Sequence, residues 1–134
     1  GLLPVVSSMP KDNHSLMQLY LDGPNKYFYT FFNVLENRNV KIKNDSVLNT
    51  HKFLKNLSIE KIKQSQMIAT EKVFISKKIP FRSFRILKRN EQSLGELFCF
   101  FILETILLGR ALNVNPFDQP SVELIKIETK KILS

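Results

Sequence analysis

Two short runs of aromatic and β-branched residues most constrain how this chain can fold. One spans residues 27–35, with Tyr27, Tyr29, Thr30, Phe31, Phe32 and Val34, and the other spans 81–87, with Phe81, Phe84 and Ile86. Both have strand length and strand composition. A helical pattern lies between them. It opens at Ser58, a good N-cap, and turns Ile59, Ile62, Met67 and Val73 towards one side. Helices and strands alternate along the chain, so the expected class is α/β with a mostly parallel sheet. Two or three strands are too few to complete such a sheet. The chain also starts at Gly1 without a methionine, so a processed chain or a fragment is expected.

The rest of the chain supplies further elements. Pro4 and Pro10 keep residues 1–13 extended or looped. Asp12 or Asn13 is placed to cap a short helix over 14–21. Asp22-Gly23-Pro24-Asn25 reads as a turn, with Gly23 free to take a positive φ. Residues 37–46 are polar and loop-like, and 47–57 are weakly helical. Asn90 caps a long helix to about Leu112, with apolar residues on nearly every side, which predicts burial. Within it the greasy stretch 97–103 is too short to span a bilayer, and Cys99 is expected as a reduced core residue. A break over 113–118 follows, and then a terminal helix to Ile132 with Asp118 as N-cap and Pro120 in its first turn.

Charge does less to limit function than its size implies. Lysine plus arginine number 20 against 12 acidic residues, a net +8, concentrated in windows 38–63 and 71–91. Lysine outnumbers arginine 15 to 5, whereas bidentate phosphate and base contacts favour arginine. The excess is therefore expected to be solvated surface, with neither nucleic acid nor membrane as a partner. One cysteine and two histidines leave no disulfide framework and no zinc site of the usual kind. No secretory leader is visible at the start, because the first apolar stretch stops at Pro4.

Two segments carry a family resemblance. Residues 12–24, Asp-Asn-His-Ser-Leu-Met-Gln-Leu-Tyr-Leu-Asp-Gly-Pro, look like the histidine helix of bacterial glucose-6-phosphate isomerases. Residues 113–126, Asn-Val-Asn-Pro-Phe-Asp-Gln-Pro-Ser-Val-Glu-Leu-Ile-Lys, resemble the C-terminal signature of the same family. Gly109 before the signature also fits, as does the Leu94-Gly95-Glu96 segment. The resemblance implies a C-terminal portion of that enzyme. The expected fold is a partial three-layer αβα sugar-isomerase (SIS-type) domain over 1–112, with a signature loop and helical arm over 113–134. It further implies an aldose–ketose isomerase of glycolysis and gluconeogenesis that interconverts glucose 6-phosphate and fructose 6-phosphate. Such an enzyme is cytoplasmic, uses no metal or cofactor, and works as a homodimer.

Carried over by position, the resemblance makes His14 and Lys126 the catalytic pair for ring opening and Gln119 a substrate contact. The chemistry is consistent. An imidazole that titrates near neutrality can take the proton of the C1 hydroxyl, and an ammonium can serve the ring oxygen and attract a phosphorylated substrate. Gln119 and Lys126 are seven residues apart, roughly 20° short of two helical turns, so they share a face. His14 and Gln18 share a face by the same rule. His51 matches nothing functional. The family's catalytic glutamate, its phosphate-cradling loop and its enediolate-stabilising arginine find no counterpart in these residues. The chain alone is therefore expected to be inactive.

Overall fold

The computed structural model of the chain describes residues 3–24, 26–35, 40–43 and 47–134. Asn25 of the expected turn and most of the expected loop 37–46 lie outside them. The chain divides into two compact units, Gly1–Arg89 and Asn90–Ser134.

The first unit contains helix α1 (Met17–Asp22), strand β1 (Tyr29–Val34), helix α2 (Ile59–Ser76) and strand β2 (Phe81–Ile86). The two strands pair in parallel, Tyr29 opposite Phe81 through Val34 opposite Ile86, and form the whole sheet among the described residues. The expected strand pair and its direction are therefore present. Ser58 caps α2 as its type predicts: its hydroxyl accepts the Lys61 amide at 3.1 Å. The weakly helical stretch before it settles into a 3-10 turn, Asn49–Leu54, interrupted at His51.

The other end of α2 shapes the core. Lys78 takes a positive φ of 56°, the Ile79 amide donates to the Phe74 carbonyl at 3.0 Å, and the Lys78 amide donates to Ile75 at 3.0 Å. This is a Schellman motif, in which the residue after the left-handed position packs against one in the last turn. Those two residues, Ile79 and Phe74, are the buried hydrophobic residues of the unit among the described residues. Phe74 meets Tyr29, Phe31 and Phe81 edge-on at 5.0, 5.1 and 5.9 Å between ring centroids. The core thus lies at the C-terminal end of α2, over one face of the strand pair. It does not run along the expected stripe: Ile59 and Val73 are exposed, and Ile62 and Met67 are half-buried. The opposite sheet face carries Phe32 stacked on Phe84 at 5.4 Å, with the Arg82 guanidinium over the Phe28 and Phe84 rings.

The second unit is helical, with α3 (Glu91–Ala111) and α4 (Pro120–Leu133). Asn90 caps α3 through its side-chain oxygen, which accepts the Ser93 amide at 3.0 Å. The expected burial of α3 does not hold. Leu94, Phe98, Ile102 and Leu107 are at least half exposed, Cys99 is exposed, and Gly109 is the one buried residue of the helix. An apolar helix is buried by what packs on it, and its own composition cannot supply that layer. The helix N-cap of α4 is Gln119 rather than Asp118, with Pro120 at the start. Among the described residues no helix is long and apolar enough to cross a membrane.

Candidate functional site

His14 belongs to a loop-and-turn segment held from several sides. The expected single helix over 14–21 is broken into a 3-10 turn, Lys11–Asn13, followed by α1. Neither Asp12 nor Asn13 caps α1. Instead the Asp12 carboxylate accepts the Ser8 amide at 2.6 Å, and its carbonyl accepts the Leu16 amide at 2.9 Å. His14 therefore lies just before α1, with φ −73° and ψ −41° in the right-handed helical region. The reason is local: Pro10 and the short polar side chains that follow favour turns closed by side chain and backbone. His14 is exposed, and no hydrogen bond reaches its imidazole among the described residues.

Side-chain contacts of Tyr20 and Asp22 position this segment on the unit. Tyr20 packs edge-on against Tyr29 of β1 at 5.3 Å, and its hydroxyl meets Ser7 Oγ at 2.6 Å. The Asp22 carboxylate accepts Gln18 Nε2 at 2.7 Å and Lys77 Nζ at 2.6 Å, which ties α1 to the end of α2. The hydrogen bond and charge of Lys77 hold the Asp22 carboxyl below its usual value. Burial, with smaller contributions from Tyr20 and Tyr27, pushes the Tyr29 phenol up. Gly23 then turns the chain, but with φ −79° and ψ −173°, not the positive φ expected. Glycine is needed there for space: a Cβ would collide with the Leu19 carbonyl oxygen.

Beside this segment runs a groove of about 440 Å³. Met9, Pro10 and Asn13 form one wall, Phe31 to Val34 of β1 another, and α2 from Ile59 to Thr70 the third. Asn13 Oδ1 and Glu60 Oε2 are both buried there without a hydrogen-bond partner among the described residues. Sequence reasoning offered Asn13 only as a helix cap and did not single out Glu60. No periodicity marks them, because what distinguishes them is burial without a donor.

Lys126 and Gln119 lie in the other unit. The Lys126 ammonium is exposed and donates to Glu123 Oε1 one turn earlier, at 2.5 Å. Gln119 is exposed at the head of α4, and its carbonyl accepts the Val122 amide at 3.0 Å, while its side chain caps nothing. The signature loop is held by its own residues. Asn113 closes α3 with a positive φ of 55°, and Asn115 Oδ1 accepts the Phe117 amide at 3.1 Å. Gly109 lets that loop fold back: a Cβ would stand 3.0 Å from Pro116 and from the Val114 carbonyl. His51 is exposed and meets its neighbour Thr50 at 2.9 Å. Among the described residues no three His, Cys, Asp or Glu side chains gather as a metal site.

Comparison with known proteins shows what the chain is similar to. The chain is 34% identical over 126 residues to the probable glucose-6-phosphate isomerase of Methanococcus maripaludis, covering 92% of this chain and 27% of that protein. It is 30% identical to the glucose-6-phosphate isomerase of Campylobacter jejuni, covering 100% of this chain and 33% of that protein. The chain is homologous to a segment of the glucose-6-phosphate isomerases. It spans about three tenths of the length of these curated relatives. A crystal structure of a hypothetical protein from Thermus thermophilus superimposes with a TM-score of 0.78 at 25% identity, over 94% of this chain and 31% of that one. No family model matches the chain. The resemblance read from residues 12–24 and 113–126 is thus a property of almost the whole sequence.

Proposed function

We propose that this chain supplies one part of a glucose-6-phosphate isomerase, the C-terminal portion of an SIS-type fold, and that it is inactive alone. The observation that carries this reading is the 30–34% identity to isomerases along nearly all of the chain. In the proposed chemistry His14 takes the proton of the C1 hydroxyl while the ring oxygen is protonated, with Lys126 supplying or stabilising that proton. No carbon–carbon bond breaks in this step; only the bond between C1 and the ring oxygen opens. Gln119 contacts the sugar. The exposed imidazole of His14 and the exposed head of α4 are accessible to a ligand, which supports these roles. The C1–C2 proton transfer that follows needs a base and an anion stabiliser, each normally worth orders of magnitude in rate, and the 134 residues offer no counterpart to the family's. The substrate is a sugar phosphate, the intact enzyme is a cytoplasmic homodimer, and no cofactor takes part.

The test is a chimera in which this chain replaces the homologous segment of the Methanococcus maripaludis protein. A coupled assay on fructose 6-phosphate should show turnover in the chimera and none in the isolated chain. His14→Ala and Lys126→Ala should each lower kcat of the chimera by roughly 100-fold or more, the low end for loss of an acid–base group. Turnover by the isolated chain at an enzymatic rate, or a chimera indifferent to both substitutions, would overturn the reading. The alternative is a non-catalytic remnant or dimerisation module, favoured by the exposed apolar side chains of α3. It requires an inactive chimera and self-association of the isolated chain.

A further inference from the structure

We infer that Tyr20 is a positioning residue for His14: its hydroxyl, bonded to Ser7, and its ring, packed on Tyr29, fix the backbone that carries the imidazole. The inference rests on the ring-opening role proposed above for His14, and it adds the residue on which that role depends.

The backbone around His14 forms a circuit. Asp12 donates its amide to the Ser8 carbonyl at 3.0 Å, Leu16 donates to Asp12 at 2.9 Å, and Tyr20 donates to Leu16 at 3.0 Å. Each bond spans four residues, and the middle one bridges His14. The Ser7 and Tyr20 hydroxyls, 13 residues apart, meet at 2.6 Å and close the circuit. Tying two distant points of a chain removes freedom from everything between them, and His14 lies midway along the tied stretch.

Tyr20 is also where this circuit joins the core. Its ring lies edge-on against Tyr29 at 5.3 Å, and the Tyr29 hydroxyl donates to the Tyr20 carbonyl at 3.4 Å. Tyr29 in turn meets the buried Phe74 at 5.0 Å. The His14 imidazole is exposed and has no hydrogen bond among the described residues, so its location follows from its backbone. Location is what proton transfer depends on: the base must come within about 2.6–3.2 Å of the proton's carrier, and a displacement of about 1 Å can cost roughly 100-fold in rate. The Asp22–Lys77 ion pair does not substitute for this tie. It holds the far end of α1, and its side chains are 52% and 42% exposed, where ion pairs hold a segment only weakly.

Three substitutions separate the hydroxyl tie from packing. Tyr20→Phe keeps the ring and removes its hydroxyl, Ser7→Ala removes the partner, and Ser7→Thr keeps a hydroxyl in place. In this chain, amide exchange at Asp12, Asn13 and Leu16 should quicken roughly fivefold in Tyr20→Phe and in Ser7→Ala, the equivalent of about one net hydrogen bond. Ser7→Thr should exchange as the parent does. In the chimera described above, Tyr20→Phe and Ser7→Ala should each lower kcat about tenfold with KM unchanged, because the two hydroxyls are spent on each other. The double variant should fall no further than either single one, and Ser7→Thr should keep the parent rate. Ser58→Ala loses a hydrogen bond of similar size at the head of α2 and should leave kcat unchanged, which distinguishes positioning from general stability. The inference is overturned if exchange does not quicken, if Ser58→Ala lowers kcat as much, if KM rises while kcat holds, or if the two single losses add. A chimera indifferent to His14→Ala overturns the ring-opening role itself, whereas one that needs His14 but not the Tyr20 hydroxyl overturns only the positioning role.

Discussion

Replacing Phe74 by alanine should remove most of what holds the first unit together. The ring is fully buried, and three aromatic neighbours, Tyr29, Phe31 and Phe81, meet it at 5.0 to 5.9 Å. A buried Phe→Ala change costs about 3–5 kcal/mol through lost transfer energy and a residual cavity. Three edge-on ring contacts, each worth roughly 0.5–1.5 kcal/mol, put Phe74→Ala at the upper end. The neighbours cannot all close the gap, because Tyr29, Phe31 and Phe81 are fixed by the strand register. Phe32→Ala is the control. Phe32 lies on the opposite sheet face and is 52% exposed, so its loss should cost roughly 1 kcal/mol. Urea unfolding followed by circular dichroism measures both. In a unit of this size each 1 kcal/mol moves Tm by about 4–8 °C, so Phe74→Ala should lower it by roughly 12 °C or more, or unfold the unit outright. A loss below about 1 kcal/mol, or one equal to that of Phe32→Ala, would show that the core does not centre on Phe74.

Other outcomes test the local chemistry. Ser58→Ala and Asn90→Ala should each cost about 1 kcal/mol by removing an N-cap acceptor, seen as lower Tm with unchanged strand signal. Gly23→Ala should destabilise the His14 segment even though φ is negative, because the methyl group meets the Leu19 carbonyl; amide exchange over residues 16–23 should rise. Lys126→Ala should shift stability by no more than about 0.5 kcal/mol, since its pair with Glu123 is solvent-exposed, so any loss of chimera activity would be functional. The Asp22–Lys77 contact depresses the folded-state pKa of Asp22. Its stabilisation is then present above the ordinary carboxyl value of 3.8 and disappears as pH falls through the lower folded value. In acid titrations Lys77→Ala should flatten that part of the stability profile, and an unchanged profile would refute the linkage.

Local features were legible in the amino-acid order. Asn90 and Ser58 cap the helices they precede, residues 29–34 and 81–86 are strands, and the segment between them makes the pair parallel. Each rests on interactions within a few residues, or on a composition that only one regular structure suits. The site was legible through resemblance more than through physics: nothing in spacing alone separates Lys126 from the other lysines, and it is paired with Glu123 as a surface lysine would be. The unpaired oxygens of Asn13 and Glu60 were invisible for the opposite reason, since an unsatisfied oxygen is defined by the atoms that fail to surround it.

By itself, then, the sequence determined where α2 and α3 begin, that two strands run the same way, and which family of proteins the chain resembles. Only the tertiary structure decided which apolar side chains are inside. Phe74 is the centre of the core: three rings from the two strands surround it, and the Schellman turn after it ends in the other buried residue, Ile79. The stretch 97–103 looked like an interior helix and is largely exposed. Hydrogen bonds and caps act between neighbours in the chain, whereas burial depends on surfaces brought together from distant positions, and no residue carries that information in its own identity.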